Sequence, residues 1–444
     1  MSKIKRVLVA NRGEIALRAI RTIKEMGKQA IAVYSTADKD ALYLRYADAS
    51  ICIGGEKSSQ SYLSIPAIIS AAEISECDAI FPGYGFLSEN QNFVEVCEHH
   101  NIKFIGPSAD AMIMMSDKSK AKDVMKKAGI PVIPGSDGAL NDLEDAKKTA
   151  EKMGYPVIIK AAAGGGGRGM RVVEKAEDIE KLYLAAESEA KTAFGDGTLY
   201  MEKFIRKPRH IEVQVVGDRH GNAIHIGERD CSMQRRHQKL IEESPAILLD
   251  EETRKKLHET AIRATKAIGY ENAGTFEFLV DENKNFYFME MNTRLQVEHC
   301  VSEMVSGLDI IELMIKVAEG EKLPPQESIK LKGHSIECRI TAEDPVRFIP
   351  SPGRISTYIV PGGRNVRMDS HAYQNYVVPP HYDSMIGKLI VWAEDRTRAI
   401  AKMKQALSEL TIEGISCTRD FHLKMMDNPD FINNNFDTNY LSNH

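Results

Sequence analysis

The 444-residue sequence predicts a chain of mixed α/β and α+β class, on three observations. Its first hundred residues alternate short apolar strands with helical segments, a rhythm that means a parallel sheet with crossover helices. A Pro/Gly connector, Ile130-Pro-Val-Ile-Pro-Gly135, then interrupts the chain. Beyond it the apolar period becomes two, in strand pairs separated by turn residues, which is the pattern of antiparallel hairpins. A chain this long exceeds what a single core supports, so two to four domains are expected.

Taken in order, the first unit reads as Val7-Leu-Val-Ala10, a helix over residues 14–26, Ala30-Ile-Ala-Val-Tyr34, Ala79-Ile-Phe81 and Phe104-Ile105. Its first strand-to-helix turn, Asn11-Arg-Gly-Glu14, lacks G-x-G-x-x-G, which argues against a dinucleotide cofactor. The turn Pro82-Gly-Tyr-Gly-Phe-Leu-Ser-Glu-Asn90 has glycines suited either to a ligand approaching the backbone or to a tight structural turn. A Lys-rich amphipathic helix over 117–129 leads into the connector. The next module opens with the strand Tyr155-Pro-Val-Ile-Ile-Lys160, running into Ala161-Ala-Ala-Gly-Gly-Gly-Gly-Arg-Gly-Met170. Four consecutive glycines are costly to order. They suit either a flexible linker or a loop whose bare N–H groups fold over an anion, with Lys160 and Arg168 adding positive charge.

A hairpin follows, His210-Ile-Glu-Val-Gln-Val-Val216 returning through Ala223-Ile-His-Ile226, with His210, Glu212 and Gln214 on its polar face. A lone His on such a face is more often structural than catalytic. The cluster Glu228-Arg-Asp-Cys-Ser-Met-Gln-Arg-Arg-His-Gln-Lys239 reads either as a solvated loop or as an anion pocket of point and fork donors. The last third, from about residue 331, mixes strands and loops and closes with a helix over 396–410.

The most telling stretch is Thr275-Phe-Glu-Phe-Leu-Val280 with Phe286-Tyr-Phe-Met-Glu-Met-Asn292. With a two-residue turn at Asn283-Lys284, Glu277 lies opposite Glu290, and Asn292 shares their face. Like charges at about 5 Å repel by roughly 3 kcal/mol at an effective dielectric of about 20. A solvated face tolerates that. A bound cation removes it, and two carboxylates plus an amide oxygen suit Mg²⁺ or Mn²⁺ in a nucleotide site. Just beyond, Thr293-Arg-Leu-Gln-Val-Glu-His299 places Arg294, Gln296 and Glu298 on one face if extended, able to hold a small planar anion beside a base.

Hydrophobic content of 43% and charged content of 27% are those of a soluble globular protein. A net charge of −5 offers no basic field for nucleic acid or an anionic membrane. The apolar run after Met1 is too short for a signal-peptide core, so a cytoplasmic location is expected. Seven scattered cysteines without a C-x-x-C pair speak against zinc and disulfides.

Six motifs in this order resemble the ATP-grasp biotin carboxylases over nearly the whole chain. They are Ala10-Asn-Arg-Gly-Glu-Ile-Ala16, Pro82 to Asn90, Gly164-Gly-Gly-Gly-Arg-Gly-Met170, Glu228 to Lys239, Met289-Glu-Met-Asn-Thr-Arg-Leu-Gln-Val-Glu-His299 and Glu337-Cys-Arg-Ile340. One departure is Phe81, where the family often has His. The resemblance implies an N-terminal α/β domain over 1–115, a two-lobed ATP-grasp centre over 116–330 with a lid lobe near 131–203, and a mixed C-terminal domain over 331–444. It implies ATP and Mg²⁺ or Mn²⁺ as cofactors, with bicarbonate and carrier-bound biotin as the other reactants.

Matched residue by residue, Lys118 and Lys160 fall on the ATP phosphates, and Gly165 and Gly166 lie in the lid loop. Glu202, Lys203 and Ile205 match the adenine segment, with His210, Gln234 and His237 near the nucleotide. Glu277, Glu290 and Asn292 match the metal ligands. Lys239, Arg294, Gln296 and Val297 match the bicarbonate pocket, Glu298 the general base, and Arg339 the residue facing biotin's enolate. No lysine between methionines in a small hairpin module is visible, and Lys402-Met403-Lys404 has the wrong order. A separate biotin carboxyl carrier protein and separate carboxyltransferase subunits are therefore expected, as is a homodimer. The leading expectation is the carboxylase component of acetyl-CoA carboxylase in fatty acid synthesis, ahead of the same half-reaction for pyruvate carboxylase or another acyl-CoA carboxylase.

Overall fold

The computed structural model describes residues 3–161, 170–236 and 238–443. Strands Ala49–Gly54, Gln29–Ser35, Arg6–Val9, Ala79–Phe81 and Lys103–Phe104 lie side by side in that order, all parallel. Their near-continuous apolar runs follow from cover on both faces. Val7, Val9, Ala30, Ala32 and Phe81 join one core with helix Gly13–Glu25, while Leu8, Ile31, Val33 and Ile80 join another with helices Ile65–Ile74 and Gln91–His99.

Strand order reverses between Arg6–Val9 and Ala79–Phe81, the place where open α/β sheets commonly admit a ligand. Here the two turns close on each other instead. Asn11 Nδ2 donates to the carbonyls of Pro82 at 2.7 Å and Tyr84 at 2.8 Å. Gly83 has φ +65°, and a Cβ there would meet Asn11 Nδ2 at 3.0 Å, so this turn needs glycine for close packing.

The second sheet has eight antiparallel strands, ordered Phe286–Asn292, Asn272–Val280, Arg209–Gly217, Ala223–Arg235, Gln238–Ser244, His334–Thr341, Met385–Ala393 and Val366–Ser370. It runs without a break from the acidic hairpin into the last third of the chain. The cluster from Glu228 to Lys239 is thus no solvated loop: its described residues up to Arg235, and from Gln238 on, continue two ladder strands. Glu228, Arg229, Ser232 and Glu242 are fully buried, which charged groups tolerate only when paired.

A separate sheet of Met170–Val173, Val157–Ala161 and Leu199–Lys203 packs with helices Leu143–Met153 and Ile179–Phe194 around its own core of Ala146, Val157, Ile159, Ala186 and Met201. The glycine loop, with Gly165 and Gly166, lies outside the described residues. Among the described residues no helix is long and apolar enough to cross a membrane.

Candidate active site

The acidic hairpin brings its carboxylates together as expected, by a different local route. Asp281 N–H donates to the Asn285 carbonyl, and Lys284 takes φ +64°, so the turn comprises Glu282, Asn283 and Lys284 rather than two residues. Pairing runs Val280↔Phe286 to Phe278↔Phe288 and then jumps to Glu277↔Glu290, leaving Met289 as a bulge. Without it Phe288 and Glu290 would share a face. With it, Phe276, Phe278, Phe288 and Met291 all enter one apolar cluster, and Glu277, Glu290 and Asn292 take the other side.

Glu277 sits in a ring of donors. Lys239 Nζ is 3.0 Å from its Oε1, Gln296 Nε2 2.9 Å and Asn292 Nδ2 2.8 Å, while His210 Nε2 lies 3.1 Å from Oε2. Burial opposes its ionisation, but Lys239 and His210 prevail and hold the carboxyl well below the usual range. Oxygen donors on two facing carboxylates and an amide fit a hard divalent ion.

Lys239 is the hub. Its ammonium also contacts Glu212 Oε2 at 2.6 Å and Glu298 Oε1 at 2.7 Å. Burial disfavours its charge, yet Glu212, Glu277 and Glu298 raise its affinity for the proton well above normal. Beneath lies Arg229, fully buried, whose guanidinium reaches Glu212 Oε1 at 2.6 Å, Gln214 Oε1 at 2.8 Å, Ser302 Oγ at 3.0 Å, Thr275 Oγ1 at 3.2 Å and Gln296 Oε1 at 2.6 Å.

Glu298 does not stand on an extended segment. The chain from Thr293 is irregular, and Glu298 directly precedes helix His299–Ser306. Its Oε2 accepts from Arg339 Nη2 at 3.0 Å, and Arg339 Nε donates to Glu242 Oε1 at 2.5 Å. Burial raises the Glu298 carboxyl, but Lys239, Arg339 and Arg229 together hold it well below the ordinary range. Arg294 turns the other way, donating to Glu89 Oε2 at 2.9 Å and Asn292 Oδ1 at 2.9 Å. The Val297 carbonyl accepts from Lys388 Nζ at 2.6 Å.

A second group lies on the three-stranded sheet. Glu202 accepts from both Lys122 and Lys160, which, against the opposing effect of burial, lower its carboxyl. Lys203 Nζ donates to the carbonyls of Gly154 at 2.8 Å and Tyr155 at 3.1 Å. Ile205 is buried, and Gln234 pairs with Lys239 across the ladder. His237 lies outside the described residues, as does the side chain of Lys118 in helix Lys118–Lys127. A hollow of about 750 Å³ bordered by His225, His258, Arg254 and Ile262 is lined by none of these residues.

Sequence reasoning missed Arg229, Glu242, Glu337, Lys388, Lys122 and the contact of Glu89 with Arg294. Extending the hairpin past residue 226 would have found the first only approximately. A register shift after His225 places Arg229, not Glu228, opposite Glu212.

Three family descriptions match along the chain: "Biotin carboxylase, N-terminal domain" over 3–112, "Carbamoyl-phosphate synthase L chain, ATP binding domain" over 117–326 and "Biotin carboxylase C-terminal domain" over 337–443. A biotin carboxylase of Nostoc sp. is 53% identical over 441 residues, 99% of each chain. A pyruvate carboxylase subunit of Methanothermobacter thermautotrophicus is 51% identical, over 98% of this chain and 89% of that one. Among solved structures, a biotin carboxylase–β,γ-ATP complex from Campylobacter jejuni is 77% identical, with TM-score 0.91 and coverage of 100% and 99%. The biotin carboxylase domain dimer of Hydrogenobacter thermophilus 2-oxoglutarate carboxylase, solved with MgADP, ADP and bicarbonate, is 48% identical, with TM-score 0.89 and coverage of 100% and 98%. The likeness is spread over the whole length and includes the strands that carry Lys239, Glu277 and Arg339, and on it this chain belongs to the biotin carboxylase family of ATP-dependent ligases.

Proposed function

We propose that this chain carboxylates biotin on a separate carrier protein, using ATP and bicarbonate, as the first half-reaction of acetyl-CoA carboxylase in fatty acid synthesis. The observation that carries the chemistry is Glu298 held between Lys239 and Arg339.

In this reading Lys160, with Lys118, takes the ATP phosphates. Glu202, Lys203 and Ile205 border the adenine, with His210, Gln234 and His237 nearby, and the loop with Gly165 and Gly166 excludes water. Glu277, Glu290 and Asn292 would hold Mg²⁺ or Mn²⁺, which when bound neutralises charge on the transferring phosphoryl group. Lys239, Arg294, Gln296 and the backbone at Val297 hold bicarbonate in line for attack. Glu298 removes its proton.

A carboxylate with depressed proton affinity is a poor base, and the geometry offers a remedy. Bicarbonate takes the attention of Lys239. Glu298 then loses the strongest of the cations that hold it down and gains basicity when its substrate is in place. The resulting carboxyphosphate breaks to CO₂ and phosphate, phosphate accepts the ureido proton of biotin, and Arg339 faces the enolate oxygen while CO₂ is captured.

The same half-reaction could serve pyruvate or 2-oxoglutarate, since relatives with those acceptors match along nearly the whole chain. A carboxyltransferase on another chain makes that choice in our reading. Free cysteines at all seven positions suit a reducing compartment such as cytoplasm, and a homodimer is the expected assembly.

The test is ATP hydrolysis by the purified protein with Mg²⁺ and bicarbonate, with and without free biotin. Biotin stimulation that vanishes without bicarbonate supports the reading, and bicarbonate-dependent turnover indifferent to biotin overturns it. Transfer from the carboxylated carrier to acetyl-CoA, rather than to pyruvate or 2-oxoglutarate, then decides the acceptor.

A further inference from the structure

Behind Arg339 lies a pair of carboxylates that the mechanism above does not use. Glu242, on strand Gln238–Ser244, and Glu337, on strand His334–Thr341, are direct cross-strand partners, and both are fully buried. At such positions Cβ atoms stand about 5 Å apart, and two ionised groups buried there repel more strongly than at the surface. Arg339, two residues along the same strand, donates to Glu242 Oε1 at 2.5 Å. Among the described residues, neither oxygen of Glu337 nor the second oxygen of Glu242 has a hydrogen-bond partner. A buried carboxylate left so is expensive.

The other charged groups around the pair leave the conflict standing. Lys388, on strand Met385–Ala393, is the cation that most opposes the raised proton affinity of Glu337, ahead of Arg339. Its ammonium is directed to the Val297 carbonyl at 2.6 Å, Cys300 Sγ at 3.1 Å and Glu14 Oε1 at 3.4 Å. Glu298 adds a further negative charge beside both, and Cys300, on helix His299–Ser306, brings no cation. Burial, with Glu298 adding to it and Arg339 and Lys239 opposing, pushes the Glu242 carboxyl up to about 7. Burial, with Glu242 adding to it and Lys388 opposing, drives Glu337 well above the carboxylate range.

We infer that Glu242 and Glu337 share one proton and act as positioning residues for Arg339, so that the pair presents a single negative charge to the guanidinium. This deepens the proposed function, resting on its assignment of Arg339 to biotin. With one charge, Glu242 orients the guanidinium and still yields it to the developing enolate. Loss of the shared proton puts a second carboxylate charge behind Arg339 and draws it away from the substrate. Activity is therefore present while the pair keeps its proton and falls as pH rises through the pair's titration.

The test compares the whole protein with Glu337→Gln, which offers a neutral hydrogen-bonding group that cannot ionise. In the ligand-free enzyme at pH 7, the infrared difference spectrum between wild type and Glu337→Gln should contain the carbonyl stretch of a protonated carboxylic acid. Wild type against Glu242→Gln should show the same band shifted, giving a second handle if one variant folds poorly. The alkaline fall of biotin-dependent kcat should flatten in Glu337→Gln. Glu242→Gln, which unties Arg339, should lose on the order of 10²-fold in biotin-dependent kcat while nucleotide binding holds. Absence of the band from both difference spectra overturns the shared proton, and an alkaline limb identical in wild type and Glu337→Gln overturns its coupling to Arg339. If the band is present while turnover ignores biotin, the shared proton is supported and the biotin reading of the site falls.

Discussion

Lys239 Nζ lies 2.7 Å from Glu298 Oε1, so the amine proposed to hold bicarbonate also restrains the group proposed to deprotonate it. On that proposal the base is quenched, in the absence of substrate, by the same cation that later recruits its reactant. Such an arrangement would limit wasteful chemistry on water, since proton acceptance by Glu298 would depend on Lys239 being engaged elsewhere.

Glu298→Gln should abolish bicarbonate-dependent ATP turnover by about 10²- to 10⁴-fold while leaving nucleotide affinity nearly intact. Steady-state hydrolysis and nucleotide titration on one preparation check both halves. Equal loss of the two would remove Glu298 from the role of base.

Glu290→Ala should raise the Mg²⁺ concentration for half-maximal activity by at least about tenfold, since a directly opposed carboxylate is lost. An activation curve over limiting Mg²⁺ reads this out. An unchanged curve would mean that the hairpin does not hold the metal.

Arg229→Leu should destabilise the protein by about 3–5 kcal/mol, because Glu212 keeps its burial and loses its bidentate-capable partner. Urea unfolding measures it. A loss under about 1 kcal/mol would show that Lys239 alone suffices for Glu212.

Acid should unfold the protein through three buried carboxylates outside the site. Against the opposing effect of burial, Glu228 is held at about 2 by His258 and Arg254, Glu243 at about 2 by His334 and Arg396, and Glu303 at about 2 by Arg18 and Arg367. The unfolded chain binds these protons near pH 4.3, so the stabilisation is complete above that pH and lost as pH falls toward 2. Each contributes on the order of 3 kcal/mol. Glu243→Gln should lower stability at pH 7 and shallow the loss between pH 4.5 and 2; parallel curves for variant and wild type would refute the assignment.

Much of this site was legible because period-two patterning fixes which side chains share a face. Glu277, Glu290 and Asn292 fell where alternation put them, even though the turn has three residues and Met289 bulges. The bulge was invisible, since an extra residue leaves the same apolar and acidic letters in the same order. The stretch from Glu228 to Lys239 stayed open between a solvated loop and an anion pocket for the opposite reason. Charge density reads as solvent exposure in one dimension, and only the neighbouring strand and the helix Glu251–Ala267 packed on it show that Arg229 meets Glu212 and Glu228 meets His258. Glu337 was seen only as part of a motif, because its importance lies in a cross-strand neighbour almost a hundred positions away.

The eight-stranded sheet separates what is inherited together from what can stand alone. Lys239 and Glu242 lie on a strand whose outer neighbour is His334–Thr341, from the far side of the match that ends at residue 326. A gene cut between those matched regions would look clean on paper. In the folded chain it would strip the cover from the strand bearing the hub lysine and leave a raw ladder edge open to intermolecular pairing. Boundaries useful for recognising relatives are thus poor places to divide this protein, and any swap with a relative has to carry both sides of that seam.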